Sequence, residues 1–114
     1  MALRFVILEH DHPFLHWDLL LEEECSARSW RLLRKPCLGE PIAAERLPDH
    51  RLIYLGYEGV VSGDRGSVKR FLSGTYEPMF DQTDVFSIAL LNNCFAKSAL
   101  IRTLNDGRLF VSFA

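Results

Sequence analysis

Residues 10–24 read HDHPFLHWDLLLEEE, a crowded polar turn running into an apolar segment. Successive side chains of a strand alternate between faces. Read as a strand, His16–Glu24 therefore sets His16, Asp18, Leu20 and Glu22 on one face and Trp17, Leu19 and Leu21 on the other. The second set is the natural core face. Upstream, LRFVILE at residues 3–9 is rich in β-branched and aromatic residues and predicts a strand ending at the turn His10 to Pro13.

Downstream, SWRLLR at residues 29–34 predicts a third short strand, closed by Lys35-Pro36. Residues 38–48 show no sustained period and read as a connection with a single helical turn. Aromatic and aliphatic residues recur over 51–57, ahead of a turn at Glu58-Gly59, and Ser62 to Gly66 is a loop of turn-forming residues. Further strands are expected over 68–76, 85–91, 99–104 and 108–113, the last two joined by Asn105-Asp106-Gly107, a strong hairpin signal. Many short strands without a long 3.6-residue pattern indicate a mostly antiparallel sheet closed into a barrel or sandwich.

The chain has 114 residues, the size of one domain with one core, so residues 1–114 are expected to form a single unit. Its apolar stretches are far shorter than the roughly 20 residues of a membrane-spanning helix. The first residues lack a cleavage pattern, so the cytoplasm is the expected location and no membrane partner is expected. Cys25, Cys37 and Cys94 form no C-x-x-C pair and read as reduced core thiols rather than a disulfide frame or a zinc site. Net charge is −2, so any contact with nucleic acid must be local. Basic residues do cluster, with Arg28, Arg31, Arg34 and Lys35 in one stretch and Arg65, Lys69 and Arg70 in another. Trp17, Trp30, Phe5 and Phe71 are assigned to packing.

Three of the chain's four histidines, His10, His12 and His16, stand beside Asp11 and Asp18. Imidazole nitrogen and carboxylate oxygen suit manganese, iron or zinc, and His16 and Asp18 share a strand face. His10, at the end of the neighbouring strand, can join them. Two histidines and one carboxylate leave room for water and a substrate oxygen, as a catalytic rather than a structural centre requires.

The surrounding motifs occur in a telling order: HDHPFLHWDLLLE at 10–22, SW at 29–30 followed by a basic residue and proline, DHRLIY at 49–54, YEG at 57–59 and GTYEP at 74–78. Over roughly residues 5–78 this run resembles the 3′-phosphoesterase domain of bacterial DNA ligase D. The resemblance implies a compact β-barrel with little helix. It further implies a metal-dependent phosphoesterase that removes a 3′-phosphate or a 3′-terminal ribonucleotide from DNA in repair by end joining. His10, His16 and Asp18 would be ligands of a divalent metal, manganese by the family's habit, with zinc or cobalt as alternatives. His50 would face the scissile phosphate, Tyr54 falls on a functional position, and Arg34, or failing it Lys35, aligns with a phosphate-holding basic residue. Arg65 is a weaker phosphate candidate. Asp11, and less clearly Glu22, can orient a ligand histidine. Expected partners are DNA 3′ ends and, by the same resemblance, a DNA ligase or other end-joining proteins.

The chain also departs from that pattern. Leu20 stands where the family carries an arginine, Ile42 stands at a further basic position with Arg46 nearby, and the loop after Glu58-Gly59 is short. The family's N-terminal arm is not seen, and neither are ligase and polymerase modules, which suggests a stand-alone protein acting in trans. Lost phosphate contacts weaken phosphoryl transfer, which depends on positioning and charge neutralisation. The rival expectation is therefore a weak or inactive relative that binds nucleic-acid ends or a repair partner. Hydrolysis of an unrelated small phosphoester is a third.

Overall fold

In the computed structural model, which describes residues 2–114, the expected strands form and close on themselves. β1 (Leu3–His10), β2 (His16–Glu22), β3 (Ala27–Leu32) and β4 (Ile42–His50) follow one another in an antiparallel meander. A single 3₁₀ turn (Leu52–Leu55) and the two-residue β5 (Gly59–Val60) precede the long β6 (Ser67–Asp81), which leads into β7 (Val85–Leu91), β8 (Ser98–Thr103) and β9 (Leu109–Phe113). The sheet order β1-β2-β3-β4-β9-β8-β7-β6 is closed by pairing of β6 with β1, so eight antiparallel strands make a barrel, and β5 adds to β6 outside the ring. β6 can serve two neighbours because its first half pairs with β1 and its second with β7, with irregularities at Ile7/Leu8 and Pro78/Phe80. Such bulges bend and re-aim a strand.

Trp17, Leu19, Leu21, Trp30, Leu32, Ile42, Ile88 and Phe113 fill the barrel, so the core face of β2 is the expected one. Phe5 is buried with them and Phe71 packs against them. The opposite face of β2 is buried as well. Leu20 joins Val6, Leu8, Ala27, Leu55, Val61 and Val68 in a second, smaller cluster beneath the 3₁₀ turn and β5. A fully buried leucine contributes about 1.5–3 kcal/mol, so Leu20 is a packing residue in a site with no room for a solvated charge.

Three expectations are corrected. Residues 42–50 are a strand rather than a connection, and the helical turn lies later, at Leu52–Leu55. Only Ile42 and Ala44 of β4 point into the core, while Glu45, Arg46 and Pro48 break the period, so pairing with β3 and β9 decides its conformation rather than its own pattern. The cysteines are free, but Cys25 and Cys94 are exposed in turns and only Cys37 packs against the core. Finally, Glu58-Gly59 is more than a turn, since Gly59 begins β5 and the Glu58 carboxylate accepts a hydrogen bond from the Arg70 N–H at 2.8 Å.

The motif GTYEP is explained by packing. A Cβ at Gly74 would collide with the Leu91 carbonyl oxygen and lie 2.7 Å from the Phe5 ring. The Tyr76 hydroxyl donates to the Glu22 carbonyl at 2.7 Å from a buried position, and burial pushes its pKa up to about 12. The Asn105-Asp106-Gly107 hairpin forms as expected, with Gly107 at φ 88° and the Leu104 N–H bonded to the Arg108 carbonyl.

Candidate functional site

The antiparallel pairing of β1 with β2 puts His10 directly opposite His16, and Asp18 follows on the same outer face as His16 and Leu20. The turn over residues 11–15 therefore brings the first and last residues of HDHPFLH together. His16 and Asp18 are 1% and 2% exposed, a burial that demands partners for both.

Those partners define the chemistry. His16 Nδ1 lies 2.8 Å from the Phe14 carbonyl oxygen, and His10 Nε2 lies 2.9 Å from the Arg65 carbonyl oxygen. A carbonyl only accepts, so each of these nitrogens carries a proton, and in the neutral ring the other nitrogen offers a lone pair. Those remaining nitrogens converge on one carboxylate, with His16 Nε2 3.0 Å from Asp18 Oδ1 and His10 Nδ1 3.2 Å from Asp18 Oδ2. Buried His16 Nε2 and Asp18 Oδ1 have no hydrogen-bond partner. Donor atoms of the three residues all lie within 4.8 Å of one another. With neutral rings these donors face one buried point, and a nitrogen–nitrogen–carboxylate set with its histidines oriented by carbonyls suits a divalent metal.

The cluster opens into a cavity of about 340 Å³ whose lining includes His10, Asp18, Arg31, His50, Tyr54 and Arg65. The Tyr54 ring packs edge-on against His50, with centroids 6.0 Å apart, and Tyr57 packs edge-on against Tyr54. The 3₁₀ turn thus acts as a bracket that holds the His50 ring toward the cluster. Burial lowers the pKa of His50, against the opposing pull of Asp18, and its Nδ1 is buried without a partner. His50 is therefore a neutral imidazole near pH 7. Its folded pKa lies below the ordinary value of about 6.5, so acidification through that window favours the unfolded chain, which binds the proton more readily. We expect urea stability of the metal-free protein to fall less steeply in His50→Gln than in the wild type from about pH 7.5 to about pH 5.5. Parallel slopes would contradict the assignment.

Several expected residues lie elsewhere. Arg34, just beyond β3, donates to the Pro41 carbonyl at 2.9 Å and pairs with Glu40, and it does not line the cavity. Lys35 sits over the Phe71 ring. Asp11 orients no histidine; its carboxylate accepts hydrogen bonds from the Ser67 N–H at 2.8 Å and the Ser67 hydroxyl, which holds its pKa below the usual carboxylate range. Glu22 pairs with Arg4 across the barrel edge. Arg46 lies at the barrel mouth over Trp30 and bonds Asp49. Arg31, named in the sequence only as part of a basic stretch, borders the cavity. It pairs in register with Asp18 and so emerges on the same face, a relation the sequence reveals only once the β2–β3 register is known.

A larger opening of about 630 Å³ at the barrel mouth holds Arg28, Trp30, Arg46, Asp81 and Phe86. Its arginines already have acidic partners in Glu23, Asp81 and Asp49. The smaller cavity, with its unpartnered buried atoms, is the candidate site.

The model of the family described as the DNA Ligase D 3′-phosphoesterase domain matches residues 8–114, well beyond the motifs over 5–78. The multifunctional non-homologous end joining protein LigD of Pseudomonas aeruginosa is 31% identical over 84 residues, covering 69% of this chain. The chain spans about 10% of the length of that relative.

Proposed function

Because the chain belongs to the family of the DNA Ligase D 3′-phosphoesterase domain, we propose that it is a divalent-metal-dependent phosphoesterase that trims the 3′ ends of DNA. The observation that carries this reading is the convergence of His10, His16 and Asp18 on a buried point beneath a cavity that His50 also borders. In this reading those three residues hold the metal; their donors suit manganese, iron or zinc, and the family resemblance makes manganese the first candidate. A metal bound there would supply Lewis-acid polarisation of the phosphate and a lowered pKa for water.

The chain's own groups do the rest. His50, neutral and backed by Tyr54, offers an N–H to the phosphate or to the departing 3′-oxygen, which concentrates its action where charge develops. For a 3′-phosphate, the bond between phosphorus and the 3′-oxygen breaks and one forms to a water oxygen. The proton balance places a hydrogen on the 3′-oxygen, giving a 3′-hydroxyl and inorganic phosphate. A 3′-terminal ribonucleotide is the second substrate, and DNA ends undergoing end joining are the proposed setting, with a ligase or other end-joining proteins as partners. Among the described residues no helix is long and apolar enough to cross a membrane.

The test measures metal content and phosphate release on one purified sample, with a 3′-phosphorylated primer and with or without added manganese. Manganese-dependent release that exceeds turnover of generic small phosphoesters is the expected result. Metal without turnover would favour a module that binds nucleic-acid ends, a reading to which the packed Leu20 lends weight. Absence of both would overturn the site.

A further inference from the structure

Resting on that phosphoesterase reading, we propose that Arg31 is the residue that grips the non-bridging oxygens of the terminal phosphate, and that it gives the site its preference for a phosphorylated end. Arg31 stands opposite Asp18 in the β2–β3 register and borders the cavity beside His10, Asp18 and His50. Its Nε is buried and has no hydrogen-bond partner. An unpaired buried donor on a charged group calls for an explanation.

The remainder of the guanidinium is held loosely. Nη1 reaches Glu45 Oε1 at 3.4 Å, and the Glu45 side chain is 54% exposed. A pair of that kind contributes little and is readily exchanged. The guanidinium carbon lies 5.4 Å from the Phe14 ring, a contact that orients the plane without using a donor. Arg31 is thus charged, oriented and short of acceptors, and the fork of its donors matches two oxygens of a phosphate.

The competing cation does not fit as well. Arg65 also borders the cavity, but its Nε donates to the Ser62 carbonyl at 2.7 Å and its Nη2 to the Ser62 hydroxyl at 3.4 Å. Arg28, Arg34 and Arg46 are engaged elsewhere, with Asp81, Glu40 and Asp49 among their partners.

The test uses the full chain as wild type, Arg31→Gln and Arg31→Lys. Calorimetry reads Mn2+ affinity, and fluorescence anisotropy reads binding of an oligonucleotide ending in 3′-phosphate or 3′-hydroxyl, with Mn2+ and separately in EDTA. We expect all three proteins to bind Mn2+ alike. Arg31→Gln should bind the 3′-phosphate end at least about tenfold more weakly, while its binding of the 3′-hydroxyl end stays unchanged. Arg31→Lys, which keeps the charge but not the fork, should lie between. An unchanged preference for the 3′-phosphate in Arg31→Gln overturns the inference, and should that variant not fold, an unchanged preference in Arg31→Lys does so. A wild type that binds no Mn2+ yet shows an Arg31-dependent preference in EDTA overturns the metal reading and leaves this one standing.

Discussion

Asp18→Asn is expected to weaken manganese binding by more than about 100-fold, beyond the 10–100-fold typical of changes around a ligand, and to reduce phosphate release to background. The same change should leave the metal-free protein as stable as the wild type, or more so. Asp18 is 2% exposed, and its two oxygens face His16 Nε2 and His10 Nδ1 at 3.0 and 3.2 Å, nitrogens whose rings are already protonated on the carbonyl-bound side. That carboxylate is buried against two ring nitrogens. An amide removes the charge, and its NH2 can donate to one of the two nitrogens. Thermal melts with and without manganese separate the two effects. At metal concentrations about 100 times the wild-type dissociation constant the wild type gains about 2.7 kcal/mol, and Asp18→Asn less than about 0.4 kcal/mol. A metal-dependent shift as large as the wild type's in the variant would show that the cluster is not the binding site.

Gly66→Ala is expected to disable the same site without touching a ligand. Gly66 has φ 72°, a region costly for any residue with a Cβ, and the added Cβ would collide with Asp11 Oδ1 and lie 2.8 Å from His12 Cβ. Relief requires Asp11 to leave the Ser67 N–H and hydroxyl, which frees the loop over residues 62–66. That loop supplies the Arg65 carbonyl that fixes the His10 tautomer. Losing it should reduce metal affinity by about 10–100-fold and stability by about 1–3 kcal/mol. Metal titration together with urea denaturation tests this, and a variant with wild-type metal affinity would show that the carbonyl is dispensable.

Much of the candidate site was legible because its residues lie close in the chain. His10, His16 and Asp18 sit at the two ends of one tight turn, so alternation along a strand is enough to bring two of them together and a hairpin to add the third. His50 and Tyr54 were reached only through motif likeness. A histidine at the end of a strand with an irregular apolar pattern carries no local signal, and its place over the cluster depends on the 3₁₀ turn folding across the outer face of β2. Arg31 and Arg34 belong to one basic stretch, and motif likeness singled out Arg34. Which of them meets Asp18 depends on the β2–β3 register, and a shift of one residue would send Arg31 to the opposite face.

Apolar alternation in β1, β2 and β7, the Asn105-Asp106-Gly107 turn and the crowding of histidines around residue 12 are local properties, and they determine that this chain forms an antiparallel β structure with a nitrogen and carboxylate cluster at one hairpin. Closure into a barrel, the strand over 42–50, the burial of both faces of β2 and the cavity that joins Arg31, His50 and Arg65 to the cluster were decided by tertiary structure. These features depend on contacts between residues distant in sequence, such as β6 with β1, where the free energy of burial rather than local preference selects the partner.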